Sequence, residues 1–311
     1  MQWKKFIRRI FFAGIGLFFI YFIIFRRRSS QVFLTPLHVN EFFLEKSHEI
    51  DHVHRIPRII HQTWKTEHVP MHWNATVTTV RRLNAENFEY RLWTDEDMHK
   101  FVREVEPDIY HNTFLTYPLD IQRVDAFRYI LLYHQGGLYI DMDNGCLQSF
   151  ESLLDILETL DKNIEHLAAY PRTSPIGVSN GFMIATKGHP LFKTLISSLS
   201  LFNHNYIIDY LTVMFSAGPT YLSIIDFYFD KSFTQSSIRI LHEHVYTGIY
   251  TWHTPGNSWH GKDARIIMHF YHSIRLAYPR SFYQCIFIIC LIISLICYLC
   301  CFRRRRRKIF K

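Results

Sequence analysis

Asp141 and Asp143 close an apolar run, Leu138-Tyr139-Ile140, that follows the pair Gly136-Gly137. Read as a strand over 138–142, the run puts both carboxylates on one face, where they can offer oxygens to one hard cation such as Mn²⁺ or Mg²⁺. A divalent ion held there turns the repulsion between carboxylates and a diphosphate into a clamp, and it stabilises the diphosphate as a departing group. The same spacing recurs at Asp95-Glu96-Asp97. There Thr94 precedes and a helical pattern follows, so these acids read as first-turn residues favoured by the helix dipole. Upstream, Asp125 and Arg128 are three apart on a predicted helix and share a face. They form either an intrahelical ion pair or a pair reaching into the same pocket, Asp125 accepting hydroxyls and Arg128 contacting hydroxyl or phosphate oxygens.

These side chains need elements to hold them. Residues 58–64 read as a strand, 77–84 as a helix, 88–93 as a strand with period-two alternation, and 95–105 as a helix capped by Thr94. A long helix over 120–135 is stopped by Gly136-Gly137 and leads into the strand of the aspartates. The double glycine reads as a place where backbone passes close to a ligand. Further strands are predicted near 167–170, 181–185 and 238–241, and helices near 190–201 and 220–229. This alternation predicts an α/β domain with a mainly parallel sheet and helices on both faces. Ligands of such sheets lie beyond the carboxyl ends of the strands, and Asp141 and Asp143 fall at such an end.

Two apolar runs flank the domain. Residues 10–25 follow Lys4, Lys5, Arg8 and Arg9 and end in Phe25 and Arg26-Arg27-Arg28 instead of small residues, the pattern of an uncleaved membrane anchor. Residues 282–302 match the ~20 residues of a membrane-crossing helix, and the basic residues from Arg303 onward place the tail in the cytosol. The expected layout is a cytosolic N-terminus (1–9), a span (10–25), a stem (26–55), a lumenal domain (56–281), a second span (282–302) and a cytosolic tail (303–311). The formal charge of +8 belongs to the span flanks, because all 27 acidic residues lie between the two runs. The interior is mildly acidic, which excludes a nucleic-acid binder of the usual basic kind. Of the 6 cysteines only Cys146 lies in the domain, so neither a disulfide within it nor a cysteine-built zinc site can form. Asn74-Ala75-Thr76 is a glycosylation sequon that a lumenal domain could use at Asn74.

Several strings carry a resemblance: IPRIIHQTW at 56–64, YRLWTDED at 90–97, DAFRYILLYHQGGLYIDMD at 125–143, SNGFMIATKGHPLF at 179–192, FSAGPTYLS at 215–223 and GNSWHGKDAR at 256–265. Together they resemble the glycosyltransferase family whose sugar-binding region contains Asp-x-Asp. Within it they are most similar to the sphingolipid branch, the catalytic subunits of fungal inositol phosphorylceramide mannosyltransferases. The resemblance implies a GT-A type domain with a transmembrane helix at each end, a Golgi membrane location, and a multi-spanning regulatory subunit as partner. The implied reaction is a retaining transfer of mannose from GDP-mannose to inositol phosphorylceramide. By position, Asp141 and Asp143 would hold the metal, Mn²⁺ or Mg²⁺, and the diphosphate, while Asp125 and Arg128 hold the donor sugar. Trp64 stands where relatives stack the nucleobase, or else packs in the core. Asn180, at a strand entrance, contacts sugar or acceptor, or is a turn residue. His260 is a third metal ligand, or one of 19 histidines with a structural role. An α-mannosyltransferase acting on glycoprotein N-glycans and a non-catalytic membrane subunit are the competing readings.

Overall fold

The computed structural model describes residues 32–45, 54–173, 177–206, 208–229, 235–254, 256, 261 and 263–269. In chain order these form β1 (Val32–Leu34), α1 (Pro36–Glu45), β2 (Ile59–Thr63), α2 (Asn74–Leu83), β3 (Glu89–Trp93), α3 (Asp95–Val105), α4 (Pro107–Asn112), α5 (Asp120–Gln135), β4 (Gly137–Ile140) and β5 (Asn144–Cys146). They continue with α6 (Glu151–Leu160), β6 (His166–Pro171), β7 (Phe182–Ala185), α7 (Pro190–Phe202), α8 (Asp209–Ser216), α9 (Pro219–Tyr228), β8 (Ser236–Leu241) and β9 (Thr251–His253). Residues 31–261 form one compact unit. Both expected membrane spans lie outside the described residues, among which no helix is long and apolar enough to cross a membrane.

Seven strands make one sheet in the order β1-β8-β6-β7-β4-β2-β3. All neighbours are parallel except β7, which runs antiparallel to both β4 and β6. β5 and β9 pair separately as an antiparallel ribbon. The expected mainly parallel α/β sheet is present. The period of two sorts the strands between two cores. Tyr139, Met183, Ala168 and Tyr170 face the layer of α5, α7 and α9, whereas Leu138, Ile140, Phe182, Ile184, Leu167 and Ala169 face α1, α2 and α6. Strands buried on both faces show little hydrophobic alternation, which is why their sequences read as continuous apolar runs.

Three expectations change. Residues 32–45 lie in the stretch read as a stem, yet β1 extends the sheet beside β8, and Leu34, Val39 and Phe42 are buried in the core. The scattered aromatics there are packing residues. The strand carrying the aspartates ends at Ile140, so Asp141 and Asp143 occupy a turn beyond it, closed by Asn144 N–H donating to the Asp141 carbonyl at 3.1 Å. The double glycine lies at the opposite end of β4 and serves the fold. Gly137 has φ +91°, and a Cβ there would come within 2.6 Å of the Ile59 carbonyl oxygen.

If 32–45 is core, Leu34→Ala destabilises the detergent-solubilised chain by about 2–5 kcal/mol in denaturant unfolding. A cost near zero would return the segment to the role of a stem.

Candidate active site

The site is organised around Arg128, whose side chain is 3% exposed. Its Nη2 lies 3.2 Å from Asp125 Oδ1 and 3.3 Å from Asp141 Oδ1, and its Nη1 donates to the Asn180 carbonyl at 2.8 Å. The guanidinium also stacks over the Tyr139 ring, 4.7 Å from its centroid. Helix α5 presents Asp125 and Arg128 one turn apart, as their spacing predicts. Asn180 Nδ2 donates to Asp125 Oδ1 at 2.9 Å, closing the loop. Tyr139 donates to Asp141 Oδ1 at 2.9 Å, and Thr63 stands 2.9 Å behind Tyr139. The ion-pair reading of Asp125 and Arg128 is realised, and Asp141 joins the pair.

Charge in this enclosure is balanced with care. Burial works against the Arg128 cation, but Asp141, Tyr139 and Asp125 outweigh it and hold its pKa up. Burial raises the Asp125 carboxyl to about 6, against the opposing charge of Arg128. Desolvation also raises Asp141; Arg128 opposes the rise, and the like charge of Asp143 adds to it. The Asp141 side chain is 33% exposed, so its carboxylate opens to solvent while its partners do not.

Asp143 belongs to a different set of contacts. Asn144 Nδ2 donates to its Oδ1 at 2.8 Å, and His253 Nε2 lies 3.1 Å from its Oδ2. The hydrogen bond to Asp143 raises the His253 pKa, with desolvation opposing. His253 comes from β9, whose ribbon with β5 folds the C-terminal part of the unit over the aspartate turn, and Thr254 N–H donates to the Asp143 carbonyl at 2.8 Å. Asp143 thus adds to the proton affinity of Asp141 and has an imidazole beside it, donor types that suit a hard divalent cation, whereas the three-donor cluster among the described residues whose ligand atoms all lie within 4.8 Å of one another is His54, Glu151 and Asp155. His260 lies outside the described residues.

The other flank is aromatic. Trp64 is half-buried beyond the end of β2 and meets Trp73 at 6.5 Å with planes 72° apart. Trp73, Val77 and Met142 form a small cluster against which Trp64, Val69, Tyr90 and Leu92 pack. Trp64 thus has a core contact and also borders the aspartate turn. Asn74 is exposed at the first position of α2, whereas Thr76 of the same sequon is buried and its hydroxyl donates to the Met142 carbonyl at 2.6 Å. His61 is structural. It accepts from Trp93 Nε1 and donates to the Gly136 carbonyl, each at 3.1 Å, and burial lowers its pKa to about 4.

The family described as a glycosyltransferase sugar-binding region containing the DXD motif matches residues 70–160. Inositol phosphoceramide mannosyltransferase 1 of Schizosaccharomyces pombe is 35% identical over 261 residues, covering 82% of this chain and 76% of that protein. The chain belongs to this DXD glycosyltransferase family. Mannosyl phosphorylinositol ceramide synthase SUR1 of Saccharomyces cerevisiae is 35% identical over 254 residues, 79% of this chain and 62% of that one. The chain thus spans about three quarters of the first relative and less than two thirds of the second. Among solved structures, PaToxG Glycosyltransferase has a TM-score of 0.38 at 16% identity, covering 55% of this chain and 68% of that chain.

For a DXD glycosyltransferase the turn after β4 is the defining segment, and several of its supports carried no advance signal. Tyr139 could have been found by its two-residue offset from Asp141. Gly181 supports the turn by what it lacks: a Cβ there would lie 2.6 Å from Asp141 Oδ2. His253 is joined to Asp143 only through the pairing of β5 with β9, which no local pattern announces.

Two outcomes follow from this geometry. Gly181→Ala pushes the Asp141 carboxylate aside and weakens Mn²⁺ binding at least tenfold in a titration of free Mn²⁺ by electron paramagnetic resonance; unchanged affinity would remove Asp141 from the metal site. The raised pKa of Asp125 means the folded chain binds more protons than the unfolded one between about pH 4 and 6, so wild-type stability falls as pH rises through that window. The stability of Asp125→Asn relative to wild type accordingly increases from pH 4 to 7 in parallel denaturant titrations, and a pH-independent difference would contradict the burial of this charge.

Proposed function

We propose that this chain transfers mannose from GDP-mannose to inositol phosphorylceramide, producing mannosyl-inositol phosphorylceramide. The observation that carries the reading is the Asp125–Arg128–Asp141–Asn180 network at the carboxyl end of β4, with Asp143 beside it. The names of the relatives, which cover most of the chain, support the lipid acceptor. An initiation-specific α-1,6-mannosyltransferase of Saccharomyces cerevisiae matches only 31% of this chain, which favours the lipid over an N-glycan.

In this reading Asp141 and Asp143 are the residues that would hold a divalent ion, which would supply compensating charge for the diphosphate. Arg128 fixes Asp141 in place and brings a permanent positive charge to the sugar end of the pocket. Asp125 and Asn180 bind sugar hydroxyls, and Trp64 offers an apolar face to the base. The reaction is a retaining transfer in a GT-A type domain. The two apolar runs anchor that domain at the lumenal side of the Golgi membrane, beside a multi-spanning regulatory subunit. Anchoring confines the search for an amphiphilic acceptor to two dimensions and favours productive orientation of its headgroup.

The test is incubation of the full-length chain in nanodiscs with GDP-mannose, inositol phosphorylceramide and Mn²⁺, followed by mass analysis of the lipid. A mannosylated lipid is expected from wild type, and Asp141→Ala or Asp143→Ala lowers the rate by at least about a hundredfold. Turnover at wild-type rate in both variants would refute the site, whereas mannosylation of an N-glycan but not of the lipid would move the acceptor to glycoproteins.

A further inference from the structure

Asp143 is held by a chain of hydrogen bonds that starts well outside the aspartate turn. Asn144 is 2% exposed, and its side-chain amide lies between two groups: Nδ2 donates to Asp143 Oδ1 at 2.8 Å, and Oδ1 accepts from the Tyr246 hydroxyl. The two ends of that amide are not interchangeable. An ionised carboxylate only accepts, so it takes the NH₂ end, and the carbonyl end is left facing Tyr246, which has to donate. Burial, with the charges of Asp141 and Asp143 added, raises the Tyr246 pKa and keeps the proton on its phenol. Tyr246 itself is fixed. It belongs to the π-helical segment Val245–Tyr250 between β8 and β9, its N–H donates to the His242 carbonyl at 3.0 Å, and its carbonyl accepts from Thr251 Oγ1 at 2.7 Å. Its ring meets Phe182, the first residue of β7, at 5.3 Å between centroids. The same stretch of chain supplies His253 to the other oxygen of Asp143, since Asn144 and His253 face each other in the β5–β9 ribbon.

We infer that Tyr246 is a positioning residue for the metal site: through Asn144 it fixes the rotation of the Asp143 carboxylate. This rests on the reading that Asp143 holds a divalent ion. The Asp143 side chain is 16% exposed and that of Asp141 33%, so the oxygens being oriented are open to an ion arriving from solvent. Groups that hydrogen-bond a ligating carboxylate set its direction, and their loss is felt as lost metal affinity. Asp141 needs no such chain, because Arg128 and Tyr139 contact its carboxylate directly. Asp143 depends on a tyrosine 102 residues beyond its neighbour Asn144. Without that hydroxyl the buried Asn144 carbonyl loses its donor, and the amide regains the freedom to turn away from Asp143.

The experiment is titration of the full chain in detergent with Mn²⁺, free Mn²⁺ being read by electron paramagnetic resonance. Tyr246→Phe keeps the ring against Phe182 and weakens Mn²⁺ about fivefold to tenfold; Asn144→Ala weakens it at least as much. The double variant is no weaker than Asn144→Ala alone, because both changes break one chain. Unchanged affinity in Tyr246→Phe would overturn the inference, as would losses that multiply in the double variant, which mark a structural role of Tyr246 elsewhere. Should these variants fail to fold, 3-fluorotyrosine placed at position 246 of the otherwise unsubstituted chain decides. Its fluorine resonance shifts on adding Mg²⁺ at a concentration that displaces bound Mn²⁺, and a resonance that stays put overturns the inference. Wild type that binds no Mn²⁺, or Asp143→Ala that binds it as tightly as wild type, would instead sink the metal reading on which the inference stands.

Discussion

A buried guanidinium governs the arrangement of this site. Arg128 is almost wholly removed from water, and a cation so placed persists only with counter-charges and hydrogen bonds close at hand. Asp125 comes from its own helix, Asp141 from the turn after β4, and the Asn180 carbonyl from the entry to β7. Three segments thus converge on one charge, the last of them 52 residues beyond Arg128. Losing any of them leaves charge exposed to a low-dielectric interior, so the requirement to neutralise Arg128 also fixes where Asp141 points. An apolar residue could fill the same volume without such demands.

The division between Asp141 and Asp143 follows from that constraint. Asp141 is held from behind by Arg128 and Tyr139 and presents the remainder of its carboxylate outward. Among the described residues Asp143 is paired with no Lys or Arg; its partners there are the Asn144 amide and the His253 ring. One aspartate is therefore anchored by charge and the other by hydrogen bonds that a metal ion can compete with or join. The turn that separates them lets the two side chains differ in environment, which a continuous strand would not.

Local signals in the sequence were enough for the elements that hold Arg128. The Thr94 capping box and the stop of α5 at Gly136 fall where expected, because capping groups and positive-φ glycines act within a few residues. The aspartates were read as strand through Met142 because apolar residues run continuously into them, although Asp143-Asn144-Gly145 just beyond carries turn chemistry. Residues 32–45 were misjudged for a different reason. β1 pairs with β8 and α1 packs on α6, elements about two hundred and more than one hundred residues later in the chain, and polarity along the sequence does not report such contacts. His253 and Tyr246 share that difficulty: each matters through a neighbour that only the folded chain supplies.

The single reversed strand explains why those neighbours meet where they do. In a wholly parallel sheet the entry to β7 would lie at the end of β4 away from the aspartates. Because β7 runs antiparallel to β4, its entry residues Asn180 and Gly181 stand beside the exit of β4, with Asp141 N–H donating to the Gly181 carbonyl at 2.8 Å. That register brings the Asn180 carbonyl to Arg128 and lays the Cβ-free face of Gly181 against the Asp141 carboxylate. The reversal therefore gathers onto one edge of the sheet a helix, a strand exit and a strand entry.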